Sequence, residues 1–426
     1  MLDVRAIRED PDRFRKGLTR RNLADAVEMI LALDERRRQL TVRVEELRAE
    51  QNRSSKAIGR AEGEDKQRLI GEVARVSAEV KELEPQLEQV EAELSDLLAR
   101  TPNVPHESAP DGFTDEDAVE VRRHGEPPTF GFEPRDHVAL GEALGVLDVE
   151  RGVRTSGSRF VYLLGDIVQV QFALVRHALD ILTVRGFVPV IPPVLVREEA
   201  MFGSGFLPTD EVNIYVTSPD ELYLVGTSEV SLAAFHAGEI IDEADLPVRY
   251  AGYSTCFRRE AGTYGKDMRG MFRVHQFDKV EMFSFARPEE SWDELEFILG
   301  IEEEILGKLD VPYRVTNTAA GDLGSAAAKK YDLEAWLPGQ DRYRELTSCS
   351  NYTDYGARRG QTRIRRNSGE VEVLHTLNGT ATAIGRTLIA ILENNQRADG
   401  SVALPTALHA YLPETLRELG PKGSPG

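Results

Sequence analysis

Cysteine is nearly absent from this chain. Its 426 residues include only Cys256 and Cys349, too few for a disulfide framework or, by themselves, for a structural zinc site. We therefore expect a reducing compartment and no zinc. No basic-then-apolar segment follows Met1, and no apolar run looks long enough to span a bilayer. The sequence accordingly predicts a cytoplasmic protein without a membrane partner.

Basic side chains are outnumbered by acidic ones. The chain has 52 Lys and Arg against 72 Asp and Glu, a formal net charge of −20, which argues against indiscriminate binding of nucleic acid. Any contact with a polynucleotide must therefore be concentrated in local basic patches. With 41% hydrophobic and 29% charged residues, the composition is that of a folded globular protein. Its length predicts two domains, one of them large.

The first hundred residues carry a heptad pattern. Apolar residues recur in steps of four and three at Leu69, Val73, Val76, Val80, Leu83, Leu87, Val90, Leu94 and Leu97. Leu33, Leu40 and Leu47 mark a matching helix upstream. The two stretches predict an antiparallel helical hairpin, connected through residues 51–65. Pro85 interrupts the second helix and predicts a local kink there.

The hairpin carries basic residues along its first helix and at its tip. The tip, residues 51–60, holds Arg53, Lys56 and Arg60 without one acid. Arginines also follow the first helix, at Arg36, Arg37, Arg38, Arg43 and Arg48. Charged coiled-coil faces are commonly just solvated, which is the simpler interpretation. The absence of acids at the tip instead favours a polyanionic partner.

Composition changes at Thr101, where a stretch rich in Pro, Gly and acids begins. We take this stretch as a domain boundary, with an N-terminal domain at residues 1–105 and a larger domain at 106–410. Strands and helices are both predicted in the larger domain. Beyond Pro405 the chain becomes polar and rich in Pro and Gly, so residues 411–426 are expected to form a flexible tail.

A basic hairpin is predicted at residues 257–283, where two extended runs flank a long loop. Its basic residues are Arg258, Arg259, Lys266, Arg269, Arg273, His275 and Lys279. Arg258 and Arg273 would lie on opposite strands, and Phe277 and Glu281 share the face of Arg273 through even spacing. Arginines on rigid strands suit a multiply charged anion. A surface hairpin of salt bridges is the alternative.

The sequence of this hairpin, FRREAG followed by RVHQFDKVE, resembles motif 2 of the class II aminoacyl-tRNA synthetases. It is similar in particular to the motif 2 of the bacterial-type seryl-tRNA synthetases. GFVPVIPP after a long helix resembles motif 1, and LHTLNGTATAIGRTL resembles motif 3. The resemblance implies an α+β fold, in which an antiparallel-sheet catalytic domain follows an N-terminal antiparallel coiled-coil arm. It also implies a homodimer through motif 1, although a buried helix and core strand would explain that element equally well.

The implied reaction is ATP-dependent attachment of L-serine to tRNA(Ser), with its long variable arm, through a seryl-adenylate. Mg²⁺ would accompany ATP. Whether selenocysteine tRNA is also charged is left open. Near a helix N-terminus, Arg386 is itself best explained by an anionic partner. The matching positions implied as catalytic are Arg258, Arg273 and Arg386.

The resemblance assigns binding roles to further positions. Serine would be bound by Thr227, Ser228, Glu229, Arg258, Glu281, Asn378 and Thr380. ATP would be bound by Arg258, Arg259, Glu260, Arg273, Val274, Phe277, Glu345, Leu346, Thr347, Ser348 and Arg386. Glu345 and Ser348 would hold the metal ion, and the tRNA would be contacted by Arg36, Arg43, Arg53, Lys56 and Arg60. For Thr227, Ser228 and Glu229, capping of the following helix is the alternative interpretation.

Met268 and Thr382 depart from the residues common in the family. Such departures are compatible with a specialised paralogue serving antibiotic biosynthesis or self-resistance. Seryl transfer to a non-tRNA acceptor and a catalytically inactive scaffold are further alternatives. Against the scaffold, every matched charged position is filled, from Arg258 to Arg386.

Overall fold

The computed structural model describes residues 1–262 and 269–420, so Lys266 and Met268 lie outside the described residues. The helices are α1 (Val4–Glu9), α2 (Pro11–Thr19), α3 (Ala26–Ile58), α4 (Gly63–Arg100), α5 (His137–Ala143), α6 (Val149–Ser156), α7 (Asp166–Val184), α8 (Glu198–Ser204), α9 (Glu229–Ala234), α10 (Ser291–Lys308), α11 (Tyr355–Gly360) and α12 (Ile384–Asn394). The chain divides into two compact units, Met1–Val104 and Pro105–Gly426.

The strands belong to the second unit. They are β1 (Val119–His124), β2 (Leu147–Asp148), β3 (Tyr162–Leu163), β4 (Val188–Val190), β5 (Leu195–Val196), β6 (Tyr215–Val216), β7 (Tyr223–Leu224), β8 (Ile240–Asp242), β9 (Val248–Phe257), β10 (Gln276–Ala286), β11 (Tyr313–Asn317), β12 (Lys329–Leu337), β13 (Arg342–Thr353), β14 (Arg363–Arg365), β15 (Val371–Val373), β16 (His375–Ala383), β17 (Val402–Ala403) and β18 (Glu418–Leu419).

In the first unit, α3 and α4 form the helical hairpin that the heptads predict. Leu47, Val76 and Val80 are buried in its seam, while Arg48 pairs with Glu84 across it at 2.6 Å. The connection is shorter than expected, residues 59–62 rather than 51–65, because α3 continues as helix to Ile58. The helix α4 continues through Pro85 without interruption.

The hairpin residues expected to contact tRNA divide into two groups. Arg36, Arg53, Lys56 and Arg60 are exposed. The guanidinium of Arg43 instead contacts the carboxylate of Glu79 on the other helix, so it also joins α3 to α4. The hairpin therefore presents a basic tip on a shaft held together by apolar contacts and ion pairs.

An eight-stranded sheet dominates the second unit, in the order β1-β11-β12-β13-β16-β10-β9-β4. All neighbouring pairs are antiparallel except β4 and β9, which are parallel. Residues of α7, α10 and α12 share one hydrophobic core with the central strands. The fold is thus the predicted α+β arrangement with a mainly antiparallel sheet.

Two expectations need correction. Residues 411–420 are not a flexible tail, since Leu412, Leu416 and Leu419 are buried in the main core and β18 pairs with β17. Only residues 421–426 of that segment lie outside the described part of the chain. In addition, α7 is long and apolar enough to cross a bilayer, although half of it is buried within the unit, as in a core helix.

Candidate active site

A cavity of about 270 Å³ opens beside the sheet, next to β10, β12, β13 and β16. Its lining residues are Arg258, Glu260, Met271, Phe272, Arg273, Val274, Phe277, Lys279, Lys330, Glu345, Leu346, Thr347, Ser348, Thr380, Ala383, Gly385 and Arg386. Residues more than a hundred positions apart in the sequence, including all three arginines implied as catalytic, therefore line one space.

The first two of these arginines lie just beyond the strands rather than on them. Strand β9 ends at Phe257 and β10 begins at Gln276, which corrects the expectation that Arg258 and Arg273 sit on opposite strands. The pairing nevertheless continues for one step, because the backbone N–H of Arg258 donates to the carbonyl of His275 at 3.0 Å. The side chain of Arg258 is fixed from two sides.

Those two contacts are with the backbone and with an aromatic ring. The Nε of Arg258 donates to the carbonyl oxygen of Gly226 at 3.1 Å, and its guanidinium lies 5.3 Å from the ring centre of Phe277. Arg273 is held by the carboxylate of Glu260, with 2.9 Å between Nη1 and Oε2. Both cations are thus oriented before any anion arrives.

Arg386 reaches the cavity from the first turn of α12. Its Nη1 donates to the backbone carbonyl of Glu345 at 2.8 Å and lies 3.4 Å from the carboxylate oxygen Oε2 of the same residue. The guanidinium also lies 4.8 Å from the ring centre of Phe272. A carboxylate partner explains how a cation is tolerated at a helix N-terminus.

A β-bulge in β13 arranges the predicted metal ligands. Thr347 faces Leu333 and Glu345 faces Glu334, so Leu346 is an extra residue without a partner in β12. In a regular strand, residues three apart point to opposite faces of the sheet. The extra residue offsets this alternation, and Glu345 and Ser348 both line the cavity.

The comparisons with known proteins agree with this geometry. The seryl-tRNA synthetase N-terminal domain matches residues 1–105, and the tRNA synthetase class II core domain (G, H, P, S and T) matches residues 215–395. A serine–tRNA ligase from Streptomyces coelicolor is 49% identical over 97% of both chains. One from Dictyoglomus turgidum is 45% identical over 99% of this chain and all of the other.

The solved structures point the same way. The seryl-tRNA synthetase from Pyrococcus horikoshii, complexed with ATP, superposes with a TM-score of 0.93 at 42% identity, covering 99% of this chain and 100% of the other. The chain belongs to the seryl-tRNA synthetase family. The cytoplasmic serine–tRNA ligase from Naegleria fowleri, in complex with AMP, gives a TM-score of 0.88 at 35% identity over 99% of each chain.

Of the residues that the family likeness assigns to serine, Arg258 and Thr380 line this synthetase's cavity, and the other five do not. The hydroxyl of Thr380 donates to Oε2 of Glu281 at 3.4 Å. Nearby, Nδ2 of Asn378 donates to Oε2 of Glu229 at 2.7 Å. Among the described residues, neither Oε1 of Glu229 nor Oδ1 of Asn378 has a hydrogen-bond partner, although both atoms are buried.

Three buried carboxyl groups interact next to Thr380, since Glu229 and Glu302 each interact electrostatically with Glu281, the acceptor of the Thr380 hydroxyl. Glu229, Glu281 and Glu302 are each less than 5% exposed. Burial raises the pKa of Glu229 to about 7, with a further contribution from the Glu281 carboxylate. Burial also raises the pKa of Glu281, opposed by Lys279, and raises the pKa of Glu302 well above its ordinary value. Nearby cations such as Lys279 therefore favour the ionised forms of Glu229 and Glu281.

Other assigned residues have structural partners. The hydroxyl oxygen of Thr227 accepts a hydrogen bond from the backbone N–H of Glu229 at 3.2 Å, which resembles the helix capping given above as the alternative. The Ser228 hydroxyl donates to the Gly252 carbonyl at 3.1 Å. Arg259 is not among the lining residues. The hydroxyl of Thr382 is buried 3.0 Å from that of Thr387, so this departure from the family pattern does not reach the cavity.

Sequence reasoning missed Lys330 entirely. Its ammonium lies 2.7 Å from Oδ1 of Asp332 and 4.0 Å from Oε1 of Glu345. Removal from water raises the pKa of Glu345, but Lys330, Arg386 and Arg258 outweigh it and hold this pKa at about 2. Glu345 is thus ionised at neutral pH. The alternation of Lys330 and Asp332 along β12 was the available signal, but only the pairing with β13 brings them to the site.

Proposed function

We propose that this synthetase activates L-serine with ATP in the described cavity and then transfers the serine to tRNA(Ser). The observation that carries the proposal is the convergence of Arg258, Arg273 and Arg386 on one space. The buried acid Glu281 is joined to the same space, because it accepts from the hydroxyl of the lining residue Thr380. Three cations suit a triphosphate, and a buried carboxylate suits an ammonium group.

Adenylate formation needs no nucleophile from the protein. The carboxylate of serine attacks the α-phosphorus of ATP, a mixed anhydride forms, and pyrophosphate leaves. Arg258 would bind the α-phosphate and the serine carboxylate, while Arg273 and Arg386 would bind the outer phosphates. The terminal ribose hydroxyl of tRNA then attacks the anhydride carbonyl and AMP leaves. The protein contributes positioning and charge stabilisation.

The base and amino-acid ends of the substrates would be recognised separately. Phe277 would stack on adenine, with Glu260 and the backbone of Val274 at its edge. Glu281 and Glu229 would receive the serine ammonium, and Thr380 and Asn378 would hydrogen-bond the serine side. The oxygens of Glu229 and Asn378 without hydrogen-bond partners support this assignment. A buried polar atom without a hydrogen bond costs free energy, and alanine has no side-chain hydroxyl to supply one.

The residues present fit a Mg²⁺ ion that arrives with ATP. Glu345 and Ser348 offer one carboxylate and one hydroxyl to the same cavity, which is the small share of ligands that Mg²⁺ takes from proteins when phosphates supply the rest. Among residues 1–262 and 269–420, no cluster of three His, Cys, Asp or Glu could hold a metal unaided. When bound, the ion would neutralise phosphate charge beside Arg386.

The single test is serine-dependent exchange of pyrophosphate into ATP. We expect Arg258→Ala to lower this exchange by at least about a thousandfold, since the residue would contact both reacting groups. Arg365→Ala is the matched control, because Arg365 lies on the separate strand β14 and pairs with Asp242. Near-normal exchange in Arg258→Ala would contradict the proposed clamp, and exchange with another amino acid in the wild type would contradict the substrate.

The arm, the subunit contact and the location complete the proposal. The exposed Arg36, Arg53, Lys56 and Arg60 would bind the backbone of the long variable arm of tRNA(Ser), with Arg43 contributing from its ion pair. A homodimer would form along β4 and α7. The enzyme would act in the cytoplasm. Neither a non-tRNA acceptor nor a specialised antibiotic-related copy is favoured, since the relatives are serine–tRNA ligases along nearly their whole length.

A further inference from the structure

Lys279 is a buried cation for which the proposed reaction has no role. It lies on β10 two residues before Glu281 and is only 6% exposed. Its side chain lines the cavity, and its ammonium contacts Oε2 of Glu281. Burying a lysine ammonium this deeply costs free energy unless the charge has a partner of opposite sign.

The groups that face Glu281 come from several elements. Arg258 follows β9, Glu229 begins α9, and Glu302 lies on α10. Each of them interacts electrostatically with Glu281. The remaining titratable neighbours are Cys256 on β9 and Tyr352 on β13. Three carboxyls therefore share a buried region in which Arg258 and Lys279 are the cations that act on Glu281.

Such a cluster takes up protons when it lacks cations. Carboxylates that are close together in a poorly hydrated site cannot all stay ionised, and one of them binds a proton. A protonated carboxyl is a poor acceptor for the ammonium of an incoming amino acid. Serine would then bind only after a proton had been expelled, and its apparent affinity would fall as the pH falls.

We propose that Lys279 is a positioning residue that keeps Glu281 ready to accept the serine ammonium by supplying a positive charge at Oε2 of that carboxylate. The inference rests on the proposed function, in which Glu281 receives the ammonium. Lys279 transfers no proton and touches no reacting bond. It allows serine to enter the empty site without exchanging a proton first.

The test compares Lys279→Met with the wild type. We expect the KM for serine, measured by pyrophosphate exchange with saturating ATP, to rise about tenfold near pH 7, equivalent to a change of about one pKa unit. The rise should shrink towards about pH 8.5, where the cluster ionises without help. The KM for ATP should change by less than about twofold, because a merely structural defect would affect both substrates.

A second measurement counts the protons directly. Titration calorimetry of L-serine binding, with α,β-methylene-ATP present and in buffers of different ionisation enthalpy, gives the protons released on binding. Near pH 7 we expect Lys279→Met to release up to about one proton more than the wild type. Lys279→Arg keeps the charge and should restore the wild-type pH profile even if its KM differs. Equal proton release in wild type and Lys279→Met would overturn the proposal.

Lys329→Met is the matched control. Lys329 lies on β12, 4.5 Å from the ring centre of Tyr331, and is not among the residues that line the cavity. It should leave the pH dependence of the serine KM unchanged. A wild type without serine-dependent exchange would refute the proposed function, whereas an active wild type whose pH profile survives Lys279→Met would refute only the role of Lys279.

Discussion

At the scale of single residues, the sequence motifs pointed to three arginines and to two of the buried acids, Glu229 and Glu281, and the structure added a third, Glu302. Arg258, Arg273 and Arg386 could be found from the resemblance because each lies in a long motif. Glu302 could not, since it reads as one more acid in the amphipathic helix α10. Its carboxyl accepts from the hydroxyl of Thr347 at 2.9 Å, so it links α10 to β13.

Glu302→Gln tests this buried acid through pH. Burial raises the pKa of Glu302 above its unfolded value, so the folded chain retains a proton that the unfolded chain releases as the pH rises. The free energy of unfolding therefore falls with rising pH, by at most about 1.4 kcal/mol per pH unit for this group. Glutamine lacks that proton equilibrium. Thermal melts should show Glu302→Gln gaining stability over the wild type between about pH 5 and about pH 8.

Glu304→Gln, on the same helix, should behave in the opposite way. Glu304 pairs with Arg185 at 2.6 Å and with Lys308 at 2.8 Å, and its pKa is lowered, with the Lys308 hydrogen bond as the largest cause. Its stabilisation is present above the unfolded pKa and is lost as the pH falls. Parallel pH profiles for the two variants would contradict the assignment for Glu302.

At the scale of elements, α10 is packed tightly against β16 at Gly379. A Cβ atom there would lie 2.4 Å from Cγ2 of Ile298 and 3.0 Å from Oε1 of Glu302. We expect Gly379→Ala to destabilise the protein by about 1–3 kcal/mol through overpacking and to raise the KM for serine, because Thr380 is the next residue. Melting temperature and pyrophosphate exchange measure the two effects.

Gly300→Ala is the control for that substitution. Gly300 lies on the exposed side of α10, and a Cβ atom there meets nothing within 4 Å. Alanine is favoured over glycine in a helix by about 1 kcal/mol, so this variant should melt at a slightly higher temperature with unchanged kinetics. A loss of stability in both variants would mean that α10 tolerates no change at all, rather than that its contact with β16 is tight.

The helical hairpin carries a second prediction at this scale. Removing residues 33–94 should leave serine-dependent pyrophosphate exchange largely intact and abolish charging of tRNA. Replacing Arg53, Lys56 and Arg60 by alanine should raise the KM for tRNA and reduce its dependence on salt, because fewer counterions are released. Alanine at the exposed acids Glu62, Glu64 and Asp65 is the control. Equal effects of the two triple variants would indicate a structural hairpin.

At the scale of the whole molecule, one edge of the large sheet is apolar and exposed. Ile191 and Val184 are 85% and 86% exposed, beside β4 and α7. Such an edge invites pairing with another copy, and a homodimer along it predicts that Ile191→Asp yields monomers in analytical ultracentrifugation. Val121→Asp, on β1 at the opposite edge, should remain dimeric. A wild type that sediments as a monomer would refute the dimer.

The overall architecture could be predicted wherever sequence periodicity was strong. The heptad pattern predicted the hairpin of α3 and α4. The connection between the two helices is shorter than predicted because α3 continues through Ser54 and Ser55. The C-terminal residues were misjudged because Leu412, Leu416 and Leu419 are spaced among prolines and polar residues, and only their burial reveals them as core. Lys330 and Glu302 were missed because their importance depends on partners far away in the chain.

The bulge at Leu346 has a consequence for how this enzyme can vary between organisms. The carboxylate and hydroxyl of β13 reach the cavity together because of the number of residues between them, not because of any one side chain. Loss or gain of a single codon between Glu345 and Ser348 would turn one of them towards the opposite face. Homologous proteins should therefore tolerate substitutions in this strand far more readily than insertions or deletions.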